Sequence, residues 1–150
     1  MVLRDVREED LPILFEHQRE PEAIRMAAWP ARDHDAFMAH WHTNVLGNPS
    51  NKKKTIVVDG EVAGHIGSWE QDGKRLLGYW IGQAYWGRGV ATMALSEFVA
   101  DHEQTRPVYA YVATQNVGSI RVLRKCGFVQ VGEAVTGHDD VEEMLMQLPG

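Results

Sequence analysis

The sequence has little of what marks secreted or membrane-spanning chains. Its 150 residues contain one cysteine, so no disulfide can form within the chain and a disulfide-stabilised secreted domain is excluded. The first ten residues are rich in charge and have no apolar centre, so no secretory signal is expected. No apolar run approaches the roughly 20 residues that a transmembrane helix needs. We therefore expect a cytoplasmic protein without a membrane partner.

Positive charge is also in deficit, since 15 Lys and Arg stand against 21 Asp and Glu and give a formal net charge of −6. Nucleic-acid-binding domains usually carry a basic surplus, so no nucleic-acid partner is expected. The composition is otherwise that of an ordinary globular domain, with 44% hydrophobic and 24% charged residues. The length suits one domain, and no linker or repeat divides the chain. We expect a single domain over residues 1–150.

Hydrophobic periodicity predicts an α/β domain with a mixed sheet. Asp59-Gly60 is a strong hairpin signal between two strands, whereas later strands alternate with helices that can serve as crossovers. The lysines at 52–54 are expected in a solvated loop, and residues 19–30 give no clear pattern. Strand patterns occupy residues 2–7, 55–58, 62–69, 76–81, 108–113, 128–133 and 142–148. Four helices are predicted. The first follows Asp10, and the second runs from about 33–35 to a stop at Gly47-Asn48-Pro49. The third runs from Gly87 to His102 and the fourth from Asn116 to Gly127.

The seven histidines do not form a metal-binding pattern. No pair of histidine or cysteine residues has the spacing of a zinc site. His40 and His42 lie on a predicted helix about 200° apart around its axis, so they cannot chelate one ion. No metal is expected.

The most informative stretch is Tyr85-Trp86-Gly87-Arg88-Gly89-Val90-Ala91-Thr92, between a predicted strand and an amphipathic helix. Two glycines allow positive φ angles and a close approach of the backbone to a ligand. The first-turn amides of the helix lack intrahelical acceptors and carry partial positive charge, which favours a phosphate. Arg88 would add a guanidinium. The alternative is a tight turn needed only for helix–strand packing. A Walker phosphate-binding loop is not indicated, because its Lys-Ser/Thr pair is absent. A dinucleotide-binding site is not indicated either, because the next strand does not end in an acidic residue.

A second motif follows one strand later, Asn116-Val117-Gly118-Ser119-Ile120-Arg121-Val122-Leu123-Arg124-Lys125-Cys126-Gly127-Phe128. In this order, the two motifs resemble the GNAT superfamily of acyl-CoA-dependent N-acetyltransferases. With the preceding Gly78-Tyr79-Trp80-Ile81-Gly82, they are similar to the RimJ/RimL-like branch of ribosomal-protein N-terminal acetyltransferases. The resemblance covers residues 2–148 in element order and is most specific over 78–128. It implies the GNAT fold, with about seven mixed strands and four helices.

The resemblance implies acetyl-CoA as the cofactor. In the family, the motif Gln/Arg-x-x-Gly-x-Gly/Ala binds the CoA pyrophosphate through backbone amides, and here Trp86 stands at its first position. The strand before the turn would pair with the pantetheine arm. A helix N-cap is the alternative role of Asn116, and a solvated helix face that of the basic residues of the last helix. The implied cofactor-binding residues are Tyr79, Trp80, Ile81, Trp86, Gly87, Arg88, Gly89, Val90, Ala91, Thr92, Asn116, Ser119, Arg121 and Arg124.

The implied chemistry is the attack of an amine on a thioester, which needs a base for the amine and a proton for the leaving thiolate. Many family members supply that proton from a tyrosine seven residues after the asparagine, but that position is Leu123 here. Ser119 is the remaining local hydroxyl and is the predicted proton donor or relay, as in RimL-like enzymes. Asn116 would bind the pantetheine amides or the thioester region.

The base is less well defined by the sequence. The position near 76, where a glutamate often stands in the family, has no carboxylate. Glu70 acting through water, His65 and Tyr79 are the candidates, and His65 has an ordinary pKa near neutrality. A mechanism without a dedicated base is the alternative.

The function implied is therefore direct acetyl transfer from acetyl-CoA to a primary amine, either a protein N-terminus or a small molecule. Two alternatives stay open, a non-catalytic module that binds acyl-CoA and a transferase for a bulkier acyl group. Family members occur as monomers and homodimers, and the sequence does not choose between them. Trp29, Phe37 and Trp41 could line the acceptor site or pack in the core.

Overall fold

Seven strands form one sheet in the computed structural model, which describes residues 1–27, 33–45, 50–136 and 142–149. The strands are β1 Val2–Asp5, β2 Lys52–Val58, β3 Glu61–Gln71, β4 Lys74–Ile81, β5 Val108–Ala113, β6 Val129–Thr136 and β7 Glu142–Leu148. Their order is β1-β2-β3-β4-β5-β7-β6. All neighbouring strands are antiparallel except β4 and β5, which are parallel. The predicted mixed sheet is confirmed.

Five α-helices are present in the described part of the chain. They are α1 Leu11–Gln18, α2 Pro21–Ala27, α3 His34–His40, α4 Val90–Glu97 and α5 Val117–Lys125. Wider turns extend α3 through Trp41–Val45 and α4 through Phe98–His102. The four predicted helices are found, and α2 is a fifth, short helix in the segment that gave no clear pattern.

Several predicted boundaries differ from the structure. The lysines at 52–54 begin β2 instead of forming a loop, because they pair with residues 66–68 of β3. Helix α4 begins at Val90 and not at Gly87, because Gly89 holds φ +76° and caps the helix. Phe128 precedes β6 and is buried in the core. The predicted helix stop at Gly47-Asn48-Pro49, and Trp29, lie outside the described residues.

The sheet is covered on both faces, which creates two hydrophobic clusters. Helices α4 and α5 pack on one face against residues that include Ile66, Leu77 and Met146. Helices α1 and α3 cover the first strands on the other face through Leu11, Leu14, Phe37 and Trp41. Phe37 and Trp41 are therefore core residues.

The two parallel strands separate along their length. β4 and β5 pair in register at Leu76 and Tyr109, near the start of both strands, and no further registered pair is found toward their carboxyl ends within the described residues. A gap therefore opens between the carboxyl ends of β4 and β5, in the middle of the sheet. It faces the start of α5, which directly follows β5.

The opposite end of β4 is held by a buried ion pair. Glu103, which has no exposed surface, accepts hydrogen bonds from Arg75 Nε and Ser68 Oγ, both at 2.6 Å. Burial alone would raise the pKa of Glu103, but the hydrogen bonds from Ser68, Arg75 and Thr105 and the charge of Arg75 outweigh it and hold the pKa at about 2. The network joins the segment after α4 to β3 and β4.

We expect Glu103→Gln to lower the free energy of unfolding at neutral pH by about 3–5 kcal/mol, because it leaves the Arg75 charge buried without a counter-ion. The pKa of Glu103 is lower in the folded than in the unfolded chain. Its contribution is therefore complete above the ordinary value of 4.5 and is lost as the pH falls toward about 2. Urea unfolding should show the difference between the two proteins narrowing over that range.

Glu16→Gln is the control, since the carboxylate of Glu16 forms an exposed pair with Arg19 and should contribute less than about 1 kcal/mol. Equal effects of the two substitutions would contradict the assignment of the buried pair.

Candidate active site

A cavity of about 380 Å³ lies where β4 and β5 separate. It is bordered by the end of β4, the glycine turn, the first turn of α4 and the start of α5. All of the predicted cofactor-binding residues except Arg88 and Arg124 line it. Tyr85, Gly118 and Val122 also line it and were missed by the sequence analysis. All three stand inside the two motifs, so their positions were the available signal.

The glycine turn presents bare backbone to the cavity. Gly87 and Gly89 hold φ angles of +75° and +76°, and no heavy atom lies within 4 Å of a Cβ placed on either residue. The first main-chain bond into α4 runs from the Met93 amide to the Gly89 carbonyl. The amides of Val90, Ala91 and Thr92 therefore have no acceptor within the helix. An open turn with free amides at a helix N-terminus fits a phosphate group.

Trp86 and Arg88 make specific contacts within the glycine turn. The Trp86 indole donates a hydrogen bond of 2.9 Å to the carbonyl of Ile81, which fastens the turn to the end of β4. The Arg88 guanidinium lies 3.5 Å from the Asp59 carboxylate and 5.5 Å from the centre of the Tyr85 ring. Arg88 is not among the residues that line the cavity, and its predicted place along the phosphates stays a prediction.

The start of α5 positions a hydroxyl group at the cavity. The Asn116 side chain accepts a hydrogen bond of 3.2 Å from the Ser119 amide, which confirms Asn116 as the helix N-cap. The Ser119 Oγ lies 2.6 Å from the Tyr79 hydroxyl of β4, and either group can donate. Leu123, one turn along the helix, is only 1% exposed and packs in the core.

Tyr79 is a protonated phenol at neutral pH. Burial raises its pKa to about 12, while the hydrogen bond with Ser119 acts in the opposite direction. A phenol of this kind donates hydrogen bonds and does not accept a proton from an amine at neutral pH.

The other two predicted bases do not line the cavity. His65 lies opposite Trp80 in the β3–β4 ladder and so shares its face, the α1 side, whereas Tyr79 faces α5. Burial, followed by the charges of Lys53 and His17, lowers the pKa of His65 well below its ordinary value, so the ring is uncharged at neutral pH. Glu70 is exposed and lies opposite Arg75 in the β3–β4 ladder, near the β3–β4 turn and at the other end of the strand. The structure therefore does not bring Glu70 to the cavity.

The two predicted arginines of α5 differ in position. Arg121 lines the cavity, whereas Arg124 lies further along the helix, by about 4.5 Å at 1.5 Å per residue. Both side chains are exposed. Arg121 is thus a cationic side chain at the cavity and Arg124 is a surface residue of the same helix.

The described residues contain neither a metal-binding cluster nor a membrane-spanning helix. No group of three or more His, Cys, Asp and Glu side chains there could hold a metal ion. None of the described helices is long and apolar enough to cross a membrane.

The chain and its fold are similar to known proteins. The family described as "Acetyltransferase (GNAT) domain" matches residues 1–129. A search of curated proteins finds no match. The structure is similar to the spermidine N-acetyltransferase from Vibrio cholerae in complex with CoA and spermine, with a TM-score of 0.82 and 13% identity over 99% of this chain and 94% of that one.

Two other solved structures are similar in fold. AAC(6')-Ib in complex with ribostamycin and coenzyme A has a TM-score of 0.76 and 21% identity over 99% of this chain and 92% of that one. The ribosomal-protein-alanine N-acetyltransferase from Brucella melitensis has a TM-score of 0.78 and 17% identity over 100% of both chains. At these identities the likeness is one of fold.

We expect Gly89→Val to weaken CoA binding by at least about tenfold, because a branched side chain would fill the open turn and separate the phosphate from the helix amides. Gly73→Val is a matched control. Gly73 holds φ +77° with no atom within 4 Å of an added Cβ, but it lies in the β3–β4 turn away from the cavity. The two variants share the backbone strain, so isothermal titration with CoA isolates the effect of the site. Equal CoA affinities would contradict the phosphate cradle.

Proposed function

Because the chain belongs to the GNAT acetyltransferase family and is by class an acyltransferase, we propose that it transfers the acetyl group of acetyl-CoA directly to a primary amine. The observation that carries the proposal is the cavity between the separated ends of β4 and β5. One wall is a glycine turn with free helix amides and another carries two hydroxyl groups. The site thus combines amides that can bind phosphate with hydroxyl groups that can donate hydrogen bonds to a reacting thioester.

The residues present fit the cofactor in three parts. The amides of Val90, Ala91 and Thr92 would hold the pyrophosphate, and Arg121 would add a positive charge. The end of β4 would pair with the pantetheine arm through main-chain hydrogen bonds, as an added strand does. When bound, acetyl-CoA supplies an acetyl group that is activated as a thioester.

The Ser119 hydroxyl is the proposed proton donor to the departing sulfur. It lies at the cavity, in the first turn of α5, and the hydrogen bond from the Ser119 amide to the Asn116 side chain holds that turn in place. Glu70, the predicted carboxylate base, does not line the cavity. We propose that the amine reacts from its neutral fraction, the alternative without a dedicated base.

The acceptor is proposed to be a protein N-terminus or a small-molecule amine, in keeping with the RimJ/RimL-like branch. The similarity of the motif around Trp86 to that branch supports this, together with the full-length likeness in fold to a ribosomal-protein-alanine N-acetyltransferase. Similar structures are named for spermidine and ribostamycin, so small amines stay in the proposal. The cytoplasmic location and the monomeric or dimeric state stay predictions.

The proposed activity is tested by incubating the protein with acetyl-CoA and a panel of amines, with release of free CoA thiol as the readout. The panel contains spermidine, ribostamycin and a peptide with an N-terminal alanine. Thiol release that depends on one of these amines is expected. CoA binding without release on any amine would instead support the non-catalytic module. Faster release from a longer acyl-CoA would support the bulkier acyl group.

Arg121→Ala should raise the dissociation constant of CoA about tenfold, because a hydrogen bond to a charged partner contributes about 1.5–3 kcal/mol. Arg124→Ala, on the same helix but outside the cavity, should leave that constant within about twofold. Titration calorimetry at low and at moderate salt measures both, and salt should reduce the difference. If both variants lost affinity equally, the helix charge as a whole would be responsible, and not contact at Arg121.

Ser119→Ala should lower kcat by about 10²-fold or more, the scale of general acid catalysis. CoA affinity should stay within about threefold, because the phosphate cradle is untouched. Thiol-release kinetics and CoA titration on the same preparation give both numbers. A loss of tenfold or less in kcat would remove Ser119 from the role of proton donor.

A further inference from the structure

A second hydroxyl group reaches the start of α5, from the neighbouring strand. Many relatives that the sequence resembles place a tyrosine at the position of Leu123, but Leu123 is buried in the core. The phenol of Tyr79 instead approaches the helix from β4, and its oxygen lies 2.6 Å from Ser119 Oγ. Both residues line the cavity. The fold thus brings a tyrosine hydroxyl to this region by another route.

We propose that Tyr79 and Ser119 form a two-hydroxyl relay that delivers a proton to the departing sulfur, with the phenol from β4 serving in place of the missing helix tyrosine. The inference rests on the proposed acetyl transfer and deepens it. It also changes the role of Tyr79 from a candidate base to a donor.

The geometry favours donation from Tyr79 to Ser119. A serine hydroxyl has one proton and two acceptor positions, so Ser119 can accept from Tyr79 and donate to a third atom at once. The other acceptor near the phenol, the Ser119 carbonyl, is 3.5 Å away, which is long for an O–H···O bond. With Tyr79 as donor, the Ser119 proton is left to point elsewhere, and both groups border the cavity.

The surroundings of the pair keep the phenol protonated. Burial raises the pKa of Tyr79. Among the described residues, the titratable group with which Tyr79 interacts is Cys126, whose own pKa is raised by burial and whose Sγ donates to the carbonyl of Thr92 at 3.7 Å. The Cys126 thiol is therefore uncharged at neutral pH. The hydroxyl groups of Tyr79 and Ser119 both carry the protons that the relay needs.

The proposed step balances. The amine nitrogen forms a bond to the acetyl carbon with its lone pair, and the sulfur leaves with the electron pair of its own bond to that carbon. The Ser119 hydroxyl gives its proton to the sulfur. The Tyr79 phenol replaces the Ser119 proton, and solvent restores the proton of the phenol. Solvent also takes up the proton that the amine nitrogen releases when it becomes an amide. In total, one proton passes from the amine to the thiol.

The test uses binding as well as turnover. CoA and desulfo-CoA, which lacks the sulfur atom, are titrated into the unaltered protein, Tyr79→Phe and Ser119→Ala, and the ultraviolet absorbance of the thiolate is followed with pH. In the unaltered protein the hydroxyl groups should stabilise the thiolate and lower the pKa of the bound thiol. Both variants should lose that shift while keeping their affinity for desulfo-CoA.

In turnover with the amine panel, Tyr79→Phe should lower kcat by about tenfold to a hundredfold with little change in KM. The double variant should be no slower than the slower single variant, because both hydroxyl groups act on one proton. Tyr85→Phe is the matched control. Tyr85 lines the same cavity, but its hydroxyl donates to Glu61 at 2.9 Å, so its removal should leave the thiol pKa unchanged.

Three results would overturn the relay: an unchanged thiol pKa in Tyr79→Phe, a kcat within twofold of the unaltered protein, or an equal loss of affinity for CoA and desulfo-CoA. The last would indicate that Tyr79 only supports the cavity wall. If the unaltered protein released no thiol on any amine while the thiol pKa was still lowered, the acetyl transfer would fail and the hydrogen-bonding pair would stand.

Discussion

The separation of β4 from β5 is the constraint on which the rest of the structure depends. A sheet normally pairs the main-chain groups of neighbouring strands, and buried groups without a partner are costly. Here the pairing is registered at Leu76 and Tyr109 and is not continued toward the carboxyl ends. The Trp86 indole takes the Ile81 carbonyl, and the Gly82 amide donates to Ala63 at 2.8 Å. The remaining edge of β4 is left for a ligand with main-chain-like hydrogen-bonding groups.

The second requirement is positive potential in an acidic chain of net charge −6. The structure places most of it in the backbone. Arg88, which stands inside the glycine turn, is paired with Asp59. The positive potential at the cavity therefore comes from the free amides at the start of α4, with Arg121 on the other wall. Backbone amides do not titrate, so the partial positive charge at a helix N-terminus is present at every pH. An acidic surface and an anionic ligand are thus compatible.

Local chemistry made much of this predictable. The Asp59-Gly60 turn has positive φ angles at both residues, as the hairpin pattern requires, and the Asn116 cap follows from its side chain. What failed depended on distant residues. Lys52–54 joined a strand because β3 offered a partner. The Tyr79–Ser119 contact joins positions 40 residues apart in sequence and exists only because β4 ends facing the start of α5. Periodicity indicates which face a side chain occupies, but not which side chain meets it there.

β4 therefore has a fixed end and an open end, and the two are physically linked. At its start, Arg75 is held by the buried Glu103 network, and Leu76 pairs with β5. At its end, Tyr79, Trp80 and Ile81 border the cavity. A strand that diverges from its neighbour loses ladder hydrogen bonds, so its direction must be set by contacts elsewhere along its length. The buried ion pair sets that direction at one end, and the Trp80 indole, donating to the His17 carbonyl at 3.1 Å, sets it at the other. The direction of β4 beside the cavity is thus held by contacts near both ends of the strand.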